Sequence, residues 1–178
     1  MQDVFIEYMV KKQNPPALIL LRIGIVLAAV FLFFVFFIIA TILGPFSFIA
    51  VLAAFASIYG AYMLITSMNI EFEYSLTNGE LDIDKIIAQR KRKRLISIKC
   101  KEVEDFGKYN AAEHEGKAYQ TKLFACANPN NEDLWYFTLH HKEKGLMLIV
   151  FNASERMLNG IKPFLPRPVM HKAFRIGS

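Results

Sequence analysis

Two apolar runs without a single charge, Ile23–Ile42 and Phe46–Ile65, are separated only by Leu43, Gly44 and Pro45. Each is about 20 residues long, the length at which a helix rising about 1.5 Å per residue crosses a hydrocarbon core of roughly 30 Å. Apolar residues continue upstream from Ala17 to Leu21, which predicts spans at about 18–42 and 46–66 within a hairpin of residues 17–69. Pro45 lacks a backbone donor and Gly44 accepts the dihedrals of a sharp reversal, so the two helices become antiparallel neighbours. The first run is too long for the apolar core of a signal peptide, and a second follows it at once. Neither run contains an acid, His or Lys, which leaves a proton or ion pathway without a relay.

Arg22, at the start of the first run, has a stem long enough to return its guanidinium to the headgroups, the expected role of an interfacial anchor. Ala50, Ala54, Ser57 and Ala61 recur at helical spacing in the second run, and Gly24 with Ala28 offers a small patch in the first. Small residues in such rows let helices approach closely, and these are expected to pack the hairpin against itself. Lys11, Lys12 and Arg22 precede the first span, the connecting loop is uncharged, and Arg90-Lys91-Arg92-Lys93-Arg94 follows the second. This bias predicts a multi-pass protein of the cell membrane with both termini, including the 1–16 segment, in the cytoplasm.

After Asn69 the composition changes: 18 of the 21 Lys and Arg, and 14 of the 16 Asp and Glu, lie in the remaining residues. A stretch of this size closes one hydrophobic core. Ile70–Leu76 alternates with period two, Asn78-Gly79 is a strong hairpin signal, and Glu80–Ala88 returns. Further strands are expected at Arg94–Lys99, Lys101–Tyr109, Ala118–Cys126, Leu134–His140 and Gly145–Phe151. The period then becomes helical. Asn152 or Ser154 can cap a helix whose buried face carries Met157, Leu158, Ile161 and Leu165, with Pro163 near its end. Seven antiparallel strands closed by one C-terminal helix make a small barrel or orthogonal sandwich over residues 70–165. Residues 166–178, with Pro166 and Pro168, read as a tail of little regular structure. A fragment starting near Met68 is therefore expected to fold alone.

The hairpin, the segment Tyr74-Ser75-Leu76-Thr77-Asn78-Gly79, the basic Arg92-Lys93-Arg94 leading into Leu95-Ile96-Ser97-Ile98, and Phe151-Asn152-Ala153-Ser154-Glu155-Arg156-Met157 together resemble small bacterial membrane proteins that carry a pleckstrin-homology-like (PH-like) domain. The resemblance spans about Ala17 to Leu165. It implies a PH-like fold with a membrane tether and carries no catalytic residues.

The run Arg90, Lys91, Arg92, Lys93 and Arg94 has two readings. One is contact with an anionic leaflet, where each basic side chain contributes about 1 kcal/mol; the other is a solvated hairpin tip whose charge serves topology. Glu80, Asp82 and Asp84 follow the first hairpin loop, where phosphoinositide-binding PH domains usually carry basic residues, and so argue against specific phosphoinositide recognition. His140-His141, Cys100 and Cys126 have no metal-ligand spacing, and no glycine-rich phosphate motif is present. No cofactor, metal, catalytic group or specific nucleic acid is expected. The sequence points to a noncatalytic module in the lipid bilayer that recruits a membrane-associated protein, with anionic-lipid sensing as the alternative and a membrane-associated enzyme well behind.

Overall fold

The computed structural model describes residues 4–175, so the expectations for residues 1–3 and 176–178 lie outside it. The chain divides into two compact units, residues 13–69 and the remainder. In the first unit, helices α1 (Pro16–Ile42) and α2 (Ser47–Ser67) are joined by a single 3-10 turn, Gly44–Phe46. Gly44 sits at φ +54°, the conformation the reversal requires. Both helices are long and apolar enough to cross a membrane.

Their contact is built from small residues, though not from all of those expected. Ala50 and Ala54 are buried and the Ser57 hydroxyl donates to the Ala29 carbonyl across 3.3 Å, while Ala61 is half-buried. On α1 the buried residue is Ala29; Gly24 and Ala28 are exposed. One residue along a helix turns the side chain by about 100°, so Ala28 is carried off the face that Ala29 occupies. Phe33 meets Phe55 edge to face at a centroid distance of 5.8 Å.

The second unit contains eight strands among the described residues: β1 (Phe5–Lys11), β2 (Ile70–Thr77), β3 (Glu80–Ile87), β4 (Lys91–Lys99), β5 (Asp105–Lys108), β6 (Thr121–Ala125), β7 (Leu134–His141) and β8 (Gly145–Asn152). They form two four-stranded sheets, ordered β1-β2-β3-β4 and β5-β7-β8-β6. Asn78 and Gly79 both have positive φ in the β2–β3 turn, as Asn-Gly demands. The core between the sheets takes Tyr74, Leu76 and Ile83 from the first and Phe137, Ile149 and Phe151 from the second. Helix α4 (Glu155–Ile161) closes it with Met157 and Ile161, each at most 1% exposed, and Leu165 is buried beyond its end. Ser154 is the cap, its hydroxyl accepting from the Met157 N–H at 3.2 Å.

Three features depart from the sequence expectations. The described part of the N-terminal stretch, residues 4–16, is not a separate segment: β1 pairs with β2 along its whole length, Phe5 opposite Thr77 and Lys11 opposite Glu71. The described part of the C-terminal stretch, residues 166–175, is not an irregular tail: α5 (Arg167–Arg175) begins just after Pro166 and packs on β5. Nor are all pairings antiparallel, because β6 runs parallel to β8. Alternation reports which side of a strand is buried and is silent on strand order. With β6 on the far side of β8, the connection after β5 crosses the outer face of the second sheet. It carries helix α3 (Ala111–His114) and Tyr119 there, over a small cluster of Cys126, Leu134, Tyr136, Leu148 and Val150.

The β1–β2 register makes residues 13–69 an insertion in a β-hairpin, since the Lys12 N–H donates to the Ile70 carbonyl at 2.9 Å. Replacing 13–69 by Asn-Gly should give a water-soluble, cooperatively unfolding domain. The fragment from Met68 should instead be destabilised, having lost Ile6 and Tyr8 from the core and left β2 as an open edge. Denaturant unfolding and size-exclusion chromatography of the two proteins check this; equal, cooperative unfolding of both contradicts it.

Candidate functional site

The basic run is divided by a β-bulge. In the β3–β4 register Ile83 lies opposite Ile96 but Asp84 opposite Arg94, so Leu95 is the extra residue. A one-residue insertion moves every following side chain to the other face of the sheet. Arg92 and Arg94 therefore leave the face of Ile96 and Ile98 and join Glu73, Asp82 and Asp84 on the outer face. Arg92 bonds Glu73 through Nη2 and Asp84 through Nε, the latter at 2.9 Å. Arg94 bonds Asp82 at 2.9 Å and Asp84 at 3.2 Å, and its hydrogen bond to Asp84 raises its already high pKa. Glu73 and Asp84 are buried. These two arginines neutralise buried carboxylates while remaining exposed themselves, so two of the five basic residues also hold the sheet together.

The lysines are placed differently. Lys93 lies opposite Lys85, and Lys91 opposite Ile87, at the end of the first sheet where the chain leaves β1 and re-enters β2. Both are exposed, and among the described residues neither takes part in an ion pair. The turn itself is Ile87-Ala88-Gln89-Arg90, closed by the Arg90 N–H on the Ile87 carbonyl at 3.1 Å. Ala88 and Gln89 both take φ +54° with no glycine to ease it, a conformation that costs roughly 1 kcal/mol or more per residue. Gln89 is held there by a 3.2 Å hydrogen bond from its amide to Glu71. In the apolar unit, Arg22 donates through Nη2 to Asn14 at 3.3 Å and Asn69 at 3.0 Å, joining the segment that leads into α1 to the segment that leaves α2.

A second feature was not visible in the sequence. A cavity of about 650 Å3 opens along β5, lined by that strand's full length, by Trp135, and by residues of α4 and α5. Its apolar wall is an aromatic stack: Phe106 on Trp135 at 5.1 Å and Trp135 on Phe174 at 5.9 Å between centroids. On the outer face Gly107 lies opposite Tyr136, and a Cβ at Gly107 would stand 3.4 Å from that ring. The Tyr136 hydroxyl donates to Asp105 Oδ2 at 2.9 Å, and Lys172 of α5 reaches Asp105 Oδ1 at 2.8 Å. Burial and the adjacent Asp105 carboxylate push the Tyr136 hydroxyl pKa upward, so it acts as a donor and not as a base. The only local sequence signal was the Phe106 and Trp135 aromatics; α5 and the sheet order were required to bring them together.

Nothing in these arrangements supplies a nucleophile with its base. Cys100 and Cys126 are buried free thiols, pushed up to about 12 and about 11 by that burial. His140 pairs with Glu104 at 2.9 Å, and no group of metal-ligating residues occurs among the described residues. The model of the family described as Bacterial PH-like domain (DUF6106) matches residues 2–171. The chain belongs to this family. No curated protein and no solved structure matches it. The match takes in β1 and both apolar helices, so in this bacterial PH-like domain they are parts of the family architecture and not appendages. PH-like domains are in general noncatalytic binding modules.

Two measurements follow on the excised domain. Arg92→Gln should lower stability by about 1–2 kcal/mol, because buried Glu73 and Asp84 lose a partner that is itself half exposed, whereas Lys93→Gln should change it by no more than about 0.5 kcal/mol. Equal urea midpoints for the two variants would contradict the division of the run. His114 is buried, with Nδ1 2.8 Å from the Tyr119 hydroxyl and its ring against Tyr136. Burial, then nearby Lys117, lowers its pKa. The unfolded chain thus binds a proton more readily than the folded one. Stability should be full above the ordinary histidine value of about 6.5 and fall as pH drops through it. His114→Phe should flatten urea midpoints between about pH 7 and pH 5; an unchanged slope excludes His114 as the source.

Proposed function

We propose that the protein is a multi-pass component of the cell membrane, its two spans fixing a noncatalytic PH-like module at the cytoplasmic face, where it recruits a protein partner. The observation that carries this reading is the insertion of the apolar hairpin in the β1–β2 connection. Residues 12–15 lead from β1 into α1 and residues 68–69 lead from α2 into β2. Confinement of the module to the bilayer raises the effective concentration of membrane-associated partners without demanding a strong interface. The charge bias from Lys11, Lys12 and Arg22 to the basic run supports cytoplasmic termini.

A second reading, contact with anionic lipid, is favoured by Lys85, Lys91 and Lys93 gathering at the end of the first sheet from which the chain passes into the hairpin. Three such lysines would contribute at most about 3 kcal/mol. They would orient the module more than anchor it.

A photo-crosslinker at exposed Asn130, in intact cells, tests the first reading. A discrete adduct with a cytoplasmic or membrane protein is expected from the full-length chain, and much less of it from the domain with 13–69 replaced by Asn-Gly. Equal adducts from both forms would remove the role of the tether, and adducts drawn only from the outer side would reverse the orientation. For the second reading, the excised domain should bind phosphatidylserine vesicles and lose that binding in Lys91→Gln with Lys93→Gln. No binding by either form sinks the lipid reading.

A further inference from the structure

β5 is an edge strand, paired with β7 on one side. The Tyr109 N–H donates to the Leu134 carbonyl at 2.8 Å. Alternation along an antiparallel pair then turns the Gly107 N–H toward β7 and the Phe106 and Lys108 N–H groups outward. Asp105 Oδ1 takes the Phe106 N–H at 3.1 Å, which leaves Lys108 as the outward donor on the rim of the cavity. Edge strands in folded domains are ordinarily short, charged or covered, because their unpaired backbone invites another strand. Here the edge instead borders a cavity of about 650 Å3 lined by every residue of β5.

The surroundings define what fits. The Trp135 and Phe174 rings form an apolar shelf beside the strand. Lys172 is held by Asp105, and Lys162 lies 5.0 Å from the Phe174 ring centroid. Glu113 accepts a hydrogen bond from the Asn110 amide at 3.2 Å. Lys108 and Lys117 are exposed, and among the described residues neither is in an ion pair. Of the three acids in the lining, Asp105 and Glu113 are engaged in this way and Glu155 is exposed on α4, while Lys108 and Lys117 are available beside the β5 edge.

We propose that β5 is the docking site for an extended, acidic segment of a protein partner, which adds to the second sheet as a fifth strand. Main-chain bonds to the Lys108 edge supply register, an apolar side chain lies on the Trp135–Phe174 shelf, and an acidic one sits between Lys108 and Lys117. This inference rests on the reading of the protein as a partner-recruiting module and names the chemistry of the partner.

The full-length protein in phosphatidylcholine nanodiscs, which carry no anionic lipid, is panned against a phage library of random ten-residue linear peptides. Peptides with acidic residues flanking an apolar one are expected to be enriched over empty nanodiscs. Their affinity should fall about tenfold in Lys108→Pro, which removes an outward donor and no β5–β7 hydrogen bond. Ala173→Trp, which fills the cavity from α5, should weaken them at least as much. Lys91→Gln with Lys93→Gln should leave them unchanged, and amide exchange at Lys108 should slow when peptide binds. Enriched peptides that bind Lys108→Pro and Ala173→Trp as well as the parent would overturn the site while leaving the recruiting reading intact. Loss in Ala173→Trp alone, with exchange at Lys108 unchanged, would mean an occupant that does not pair with the strand and would also overturn it. Failure to enrich any peptide would overturn the inference; a discrete adduct from Asn130 in cells would then show that the recruiting reading had survived it.

Discussion

The pairing of β1 with β2 across the apolar hairpin is the contact on which the remaining structure depends. It sets Lys11 opposite Glu71, so the two ends of a long insertion must meet within one strand spacing. Closing a loop costs entropy that grows slowly with its length, and the cost is smaller still when the loop is itself folded. The helical unit supplies that condition. Ala29, Ala50, Ala54 and Ser57 hold α1 against α2, and Arg22 ties Asn14 to Asn69 at the open end. The hairpin therefore acts on the sheet as a large preformed turn. In return, β1 brings Ile6 onto Leu76 and α4, where a Cβ at Gly160 would strike the Ile6 side chain.

The first sheet solves a related problem on its outer face. β2 and β3 carry Glu71, Glu73, Asp82 and Asp84 there, and in the middle of a sheet even outward side chains are partly buried by their neighbours. Carboxylates so placed need cations within reach. The bulge at Leu95 provides them by rotating Arg92 and Arg94 out of the core-facing register. The same rotation turns Lys91 and Lys93 the other way, to the margin of the core near Lys85. One inserted residue thus separates a single basic run into a structural pair and an available pair.

Much of this was legible in the residues. The uncharged runs gave the helical hairpin, Asn78-Gly79 gave the β2–β3 turn, and the spacing of Met157 and Ile161 gave the buried face of α4. What was hidden had a common cause. β1, FIEYMVK, is short and mixes polar with apolar residues, and its partner is distant in sequence. The parallel β6–β8 pair likewise depends on strand order, which side-chain periodicity does not encode. The bulge at Leu95 breaks the alternation between Ile96 and Arg94, so the pairing of Arg92 and Arg94 with carboxylates on the outer face could not be read from the run. Gly24 and Ala28 were misplaced because composition identifies small residues but not the rotation of one helix toward its neighbour. The cavity beside β5 required both α5, concealed by Pro166 and Pro168, and the crossing of the sheet by residues 109–120.

The four sheet edges show how far these constraints reach. β4 carries Lys91–Arg94 along its first half, a charge density that opposes pairing with another strand. β1 carries Glu7 and Lys11 and is fastened at both ends, by the Val4 N–H to Asn78 Oδ1 at 3.0 Å and by Lys12 to Ile70. β6 is held parallel to β8 and carries Lys122 as its second residue. β5 has four residues, too few to protect themselves by charge along the strand, and it lies between α5 on the core side and the crossing connection on the outer face. Because α5 engages β5 through Phe174 on Phe106 and Lys172 on Asp105, it covers side chains more than backbone. The crossing connection, drawn over Tyr136 by His114 and Tyr119, leaves the edge in the same way. The sheet order that forces that crossing is therefore also what leaves β5 bordering an aromatic-walled cavity.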